Sequence, residues 1–223
     1  MLRTQVSDLS AWPHAGICLI QGRFRERPQV IYGTGFLVSP THIATAAHLF
    51  TINLDGPGGH AVAPDLVDVI LGQGFFDDAT HLSWTFDFAS PQVTVHPDWA
   101  GGDQAHDIAR IVLPSAQPRA LPLAPSPAAL AVGGALTLSG YPIDAEPFGA
   151  WEGTGALRDL ASPVFHHAID TGAGDSGAPV RVQIGGQWTV IGAHLGEAGL
   201  DDAGQPLRRA LAMTQPLIDW LTT

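Results

Sequence analysis

The stretch Ile169-Asp170-Thr171-Gly172-Ala173-Gly174-Asp175-Ser176-Gly177-Ala178-Pro179-Val180 decides how the chain is read. Glycines bracket a single Asp-Ser pair, and Ala-Pro-Val then returns to an apolar strand. This is the pattern of a tight loop that holds one hydroxyl at a fixed, exposed point. Gly174 and Gly177 permit backbone angles that side chains forbid, and Gly174 lets a substrate carbonyl approach the main chain. Ser176 is therefore the candidate nucleophile. A serine hydroxyl attacks poorly near neutral pH unless a base takes its proton and donors hold the resulting oxyanion. The rest of the chain must supply a base and a group that orients it.

Thr45-Ala46-Ala47-His48 follows an apolar run from Gly35 to Ala44, which places His48 just past the end of a buried strand. His106-Asp107-Ile108-Ala109-Arg110-Ile111-Val112-Leu113 places Asp107 at the entrance of another. Thr-Ala-Ala-His, then Asp-Ile-Ala, then Gly-Asp-Ser-Gly-Ala-Pro resembles the chymotrypsin-like (trypsin-fold) serine proteases, over most of the chain from about Ala15 to Leu221. The same three side chains occur in other chain orders on unrelated folds, so their order carries information that the residue types do not. Gly33-Thr34-Gly35-Phe36-Leu37-Val38 and His96-Pro97-Asp98-Trp99 resemble further family segments, and Ser139-Gly140-Tyr141-Pro142 is similar to bacterial glutamyl endopeptidases. The resemblance implies an all-β fold of two six-stranded antiparallel β-barrels with a short C-terminal helix. It also implies acyl transfer, with His48 as base, Asp107 orienting the imidazole, and an oxyanion hole from the N–H groups of Gly174 and Ser176.

Composition agrees with one all-β unit. The 223 residues are 45% hydrophobic and 14% charged, enough to bury a substantial core. The 26 glycines and 18 prolines are dispersed as turns between short strands, with no low-complexity tract. Net charge is −11 and every basic residue is arginine, so nucleic acid is excluded as a partner for want of a basic footprint. The lone Cys18 lies in an apolar run and reads as a small buried hydrophobe, with no intramolecular disulfide available. No signal-peptide core or membrane-spanning run is visible. The expectation is a cytoplasmic monomer without cofactor or membrane attachment, acting on protein or peptide substrates and open to a regulatory or targeting partner. A secreted protein trimmed of its leader would read the same way.

Laid over the strand and turn signals, the resemblance implies the following organisation. Residues 1–14 form an N-terminal arm, 15–114 the first barrel with His48 and Asp107, 115–131 a Pro- and Ala-rich connector, 132–213 the second barrel with Ser176, and 214–223 the helix. Thr214 is the expected helix N-cap. Residues 49–64 read as loop.

Specificity is more open. Ile191-Gly192-Ala193-His194-Leu195-Gly196 resembles the Gly-x-His-x-Gly strand of glutamyl endopeptidases, where the histidine reads an acidic P1 side chain, and of picornaviral cysteine proteases, where it reads glutamine. Thr171 stands five residues before Ser176, matching a second pocket residue of the glutamyl enzymes. An imidazole and a hydroxyl can donate to a carboxylate or an amide. These residues, with Leu195, Gly196 and the rim residue Glu197, point to Glu or Gln at P1. Asp170, six before Ser176, stands where trypsin-like enzymes place the acid that selects Arg or Lys. A trypsin-like preference through Asp170, a non-catalytic protease-like binding module and an esterase or transferase remain alternatives. Asp175 would need either a cut N-terminal amine, as in activated trypsin-like enzymes, or partners from its own chain. Adjacent His166 and His167 face opposite sides of a strand and cannot share a metal. Asp77-Asp78 and Asp201-Asp202 read as solvated turn charges and no metal site is expected.

Overall fold

The computed structural model describes residues 3–53, 61–72, 81–100, 102–126, 130–160 and 162–223. The Gly-Pro-Gly-Gly segment at 56–59 and Asp77-Asp78 lie outside them. In chain order the strands of the first half are β1 (Thr4–Gln5), β2 (Ile17–Arg23), β3 (Val30–Leu37), β4 (His42–Thr45), β5 (Ile52–Asn53), β6 (Ala61–Val62), β7 (Leu66–Leu71), β8 (Leu82–Asp87), β9 (Val93–Val95) and β10 (Ala109–Val112). The second half supplies β11 (Ala135–Gly140), β12 (Trp151–Asp159), β13 (Val164–His167), β14 (Pro179–Ile184), β15 (Gln187–Leu200) and β16 (Pro206–Ala212), followed by helix α1 (Gln215–Thr222).

The first half is a curled antiparallel sheet in the order β8-β7-β2-β3-β4-β10-β9. The second runs β12-β11-β14-β15-β16-β13 and closes by pairing β12 with β13. It is a six-stranded barrel, to whose β12 edge the arm adds β1. The two-barrel architecture expected from the motifs is present. One barrel is fully closed, while among the described residues the other remains a curled sheet. Loop residues expected after His48 contain a 3-10 turn, Ala47–Phe50, and the small hairpin β5–β6.

Two apolar clusters fill the molecule. Leu136, Leu138, Leu157, Phe165, Val180 and Ile191 pack inside the closed barrel. A larger cluster, including Ile17, Phe36, Ile43, Val69, Ile108 and Ile111, fills the first sheet and runs on through Tyr141, Val190 and Leu217 into the seam between the halves. The connector lies along that seam: Leu121 N–H donates to the Leu37 carbonyl and Val190 N–H to the Pro122 carbonyl, at 2.8 Å each. Helix α1 starts at Thr214, whose hydroxyl accepts from Leu217 N–H as an N-cap should. Cys18 is fully buried, and burial pushes its thiol pKa up, as suits an inert core residue. No helix among the described residues is long and apolar enough to cross a membrane.

Candidate active site

Strand pairing brings His48 and Asp107 together. β10 pairs antiparallel with β4, Ala109 opposite Thr45, so the residue two before Ala109 and the turn just beyond Thr45 meet at one sheet end. There Asp107 is engaged twice by one residue. Its Oδ1 accepts from the His48 backbone N–H at 2.8 Å, and its Oδ2 lies 2.7 Å from His48 Nδ1. With Asp107 nearly buried, this arrangement fixes the ring as the Nδ1–H tautomer and leaves Nε2 free to accept a proton.

The Ser176 loop is pinned to the same sheet end. Thr34 N–H donates to the Ser176 carbonyl at 2.8 Å, and the Thr34 hydroxyl donates to the Gly174 carbonyl at 2.9 Å. The Thr34 carbonyl in turn accepts from Thr45 Oγ1 at 2.7 Å, and Thr34 Oγ1 accepts from Tyr141 N–H at 2.9 Å. Thr34, fully buried, thus ties the nucleophile loop of one half to the strand that leads into His48 of the other. Gly177 fits only as glycine: its φ is +84°, and a Cβ would come within 2.3 Å of the Thr34 carbonyl oxygen and 2.8 Å of Ala46 N. Gly174, at φ +99°, would drive a Cβ to 2.3 Å from the Tyr141 carbonyl oxygen. Among the described residues the Ser176 hydroxyl makes no hydrogen bond, and the N–H groups of Gly174 and Ser176 donate to no protein acceptor. The link from serine to histidine is often long in unliganded enzymes and tightens with substrate.

Behind this line lies the expected pocket wall. Gly177 N–H donates to the His194 carbonyl at 2.7 Å and His194 N–H to the Ala178 carbonyl at 2.8 Å, so β15 is fastened to the nucleophile loop at His194. The His194 ring is buried, with Nδ1 3.3 Å from His167 Nε2. His167 Nδ1 accepts from Ile169 N–H at 3.2 Å. That acceptor role leaves the His167 proton on Nε2, facing His194 Nδ1, and so puts the His194 proton on Nε2. Burial is the largest cause that keeps both rings neutral, taking His167 down to about 3 and His194 well below its ordinary value. For His194, the neighbouring His167, Arg208 and His48 push the same way, and the Arg209 carbonyl opposes them.

Thr171 is also buried, and its hydroxyl accepts from Arg208 Nε at 3.0 Å. The pairings Glu197↔Arg208 and His167↔Arg208 set this guanidinium among the pocket residues. The Arg208 side chain is 13% exposed, and its Nη2 lies 3.6 Å from Glu197 Oε1 on a side chain that is 81% exposed. Sequence reading missed Arg208, because only the register of β16 against β13 and β15 shows where it stands. Leu195 turns its side chain into the core between the halves, so only its main chain is available to a ligand. Gly196 sits at a β-bulge with φ +131° and open space around it.

The remaining candidates separate clearly. Asp170 Oδ2 lies 3.8 Å from Arg3 Nε, so its carboxylate is directed to the arm. Asp175 is 1% exposed, with Oδ2 accepting from Gly172 N–H at 2.8 Å and from Arg3 Nη1 at 3.4 Å. Its partners come from its own chain. Of the His166-His167 pair, His166 faces outward to Asp159 at 2.7 Å. Asp201 Oδ1 accepts from the N–H groups of Ala203 and Gln205, closing its own turn. His96, Asp98 and His106 bring ligand-type atoms within 4.8 Å of one another, but the two imidazoles are stacked with an interplanar angle of 23°. Lone pairs in nearly parallel ring planes do not converge on one tetrahedral ion.

Comparison with known proteins agrees with the fold. No curated protein matches the chain. Among solved structures, one described as "Structure of Glu endopeptidase in complex with MPD" superposes with a TM-score of 0.73 at 18% identity, covering 98% of this chain and 94% of its own. At that identity the likeness speaks for the fold. The sequence profile of the trypsin-like peptidase domain matches residues 33–192, a span that holds His48, Asp107, Ser176 and the first pocket residues. The chain belongs to the trypsin-like peptidase family.

Proposed function

We propose that this peptidase cleaves peptide bonds through an acyl-enzyme on Ser176, with His48 as base, Asp107 as its orienter, and acidic residues preferred at P1. The observation that carries the catalytic part is the double hydrogen bond from His48 to Asp107, at the sheet end to which Thr34 ties the Ser176 loop. Ser176 Oγ bonds to the scissile carbonyl carbon as its proton passes to His48 Nε2. The tetrahedral oxyanion takes hydrogen bonds from the Gly174 and Ser176 amides. The C–N bond then breaks as the imidazolium returns the proton to the leaving amine. Water, deprotonated by the same ring, releases the acid and restores Ser176.

The P1 preference rests on Arg208. A mostly buried guanidinium beside the Thr171 hydroxyl and a neutral His194 makes a wall with one fixed positive charge. Glu197, largely exposed, is the kind of partner that a substrate carboxylate displaces at little cost. The same charge disfavours a P1 Arg or Lys, and Asp170 is already occupied by Arg3. Hydrogen bonds to a charged group exceed neutral ones by about 1–2 kcal/mol, so kcat/KM for Glu over the isosteric Gln should differ by roughly tenfold or more. Peptide substrates differing only at P1 (Glu, Asp, Gln, Arg) test this, with Arg208→Met reducing the Glu/Gln ratio towards unity. A wild-type preference for Arg, or an Arg208→Met ratio equal to that of wild type, contradicts the proposal.

A further inference from the structure

The N-terminal arm is docked on the closed barrel by a very short strand. β1 is only Thr4–Gln5, pairing with Glu152 and Trp151 on β12, and Val6 N–H continues the contact to the Ala150 carbonyl at 2.9 Å. Docked there, the arm turns Arg3 towards the barrel, where its Cγ passes 3.5 Å from the point a Cβ on Gly153 would occupy. The guanidinium, on a side chain 16% exposed, faces three carboxylates: Asp144 at 3.5 Å, Asp170 at 3.8 Å and Asp175 at 3.4 Å. Among the described residues no other cationic side chain pairs with any of them.

These acids come from segments that build the reaction site. Asp175 precedes the nucleophile, and its carboxylate holds Gly172 N–H while Asp175 N–H closes on the Gly172 carbonyl at 3.2 Å. Those two bonds shape the turn that carries Gly174 and Ser176. Asp144 follows Ile143, whose N–H donates to the Ala173 carbonyl of the same loop at 2.8 Å. Without a cation between them the carboxylates would repel one another, and the one nearest Ser176 would be a buried charge with a single backbone donor, an arrangement that is strongly destabilising. The loop would relax by turning Asp175 outward, and the Gly174 and Ser176 amides would leave their present positions.

We infer that Arg3 is a positioning residue for acyl transfer: the guanidinium delivered by the arm gathers Asp144, Asp170 and Asp175 and thereby holds residues 172–177 in the shape that presents Ser176 and the oxyanion donors. The inference rests on the proposed role of Ser176. Burial pushes Asp175 up to about 7; the Gly172 N–H and then Arg3 pull it back, while Asp144 and Asp170 push it further.

The test compares wild type, Arg3→Met, Arg3→Lys and the control Arg25→Met, whose partner Asp87 lies on the first sheet. Each is measured for the second-order rate of fluorophosphonate labelling, for kcat and KM on a Glu-P1 peptide, and for its circular dichroism melt. Losing aligned oxyanion donors costs about a hundredfold or more in turnover. Arg3→Met should therefore lose at least about tenfold in labelling rate and kcat while KM stays within about twofold. Arg3→Lys should recover most of that loss, and Arg25→Met should match wild type. A folded Arg3→Met that labels and turns over like wild type, or a folded Arg3→Lys no better than Arg3→Met, overturns the inference while leaving Ser176 chemistry intact. Wild type that takes no label overturns the Ser176 reading itself, and the role of Arg3 with it.

Discussion

Asp107 and Asp175 are both nearly buried acids beside the reacting groups, at 7% and 1% exposure, yet they are held in opposite ways. Asp107 takes two hydrogen bonds from His48, a residue delivered by the neighbouring strand of the same sheet. Asp175 takes one backbone N–H from its own turn, and among the described residues its only cation comes from an arm 172 positions earlier in the chain. One half of the site is fixed by a ladder that must form for the sheet to fold. The other half depends on a two-residue strand staying docked at a barrel edge. The proposed base and its orienter are therefore the preorganised part of the site, and the Ser176 loop is the part whose shape depends on remote contacts.

The same substitution made on each side sharpens the contrast. Asp107→Asn removes the acceptor that selects the Nδ1–H tautomer, and should lower kcat by on the order of 10³–10⁴ with little change in KM. A loss of tenfold or less would mean that the His48 tautomer does not limit turnover. Asp175→Asn should be read out in stability as well. The folded carboxyl holds its proton up to about pH 7, whereas the unfolded one releases it near 3.8. Between those values the folded state binds more protons, so the contribution of Asp175 to stability falls as pH rises and has been lost above about 7. The swing is at most about 4 kcal/mol. An asparagine has nothing to ionise, so the melting temperature of Asp175→Asn relative to wild type should climb from pH 4 to 7 and then level off. A difference that does not change with pH would show that burial does not govern this carboxyl.

How far the sequence could be read follows the same division. The proposed catalytic residues His48, Asp107 and Ser176 stand out in the sequence because each sits in a local motif at a strand end. Thr34 lay inside a segment whose resemblance was noted, but its bracing role requires three elements to be in place at once. β1 left no pattern, because two residues at a barrel edge carry no alternation. Arg3 and Arg208 were invisible for a similar reason: a charge in a strand or an arm reads as a solvated face until pairing registers show what it opposes. The ambiguity over Asp170 had the same origin, because its neighbour Arg3 is 167 positions away in the chain.

On the proposed mechanism one hydroxyl, on Ser176, is made nucleophilic by the histidine the first sheet holds in place. Mass spectrometry of the fluorophosphonate-treated protein tests it most directly. A single covalent adduct is expected, mapping to Ser176, formed by wild type and absent from Ser176→Ala. An adduct on a different residue, or labelling that persists in Ser176→Ala, would contradict it.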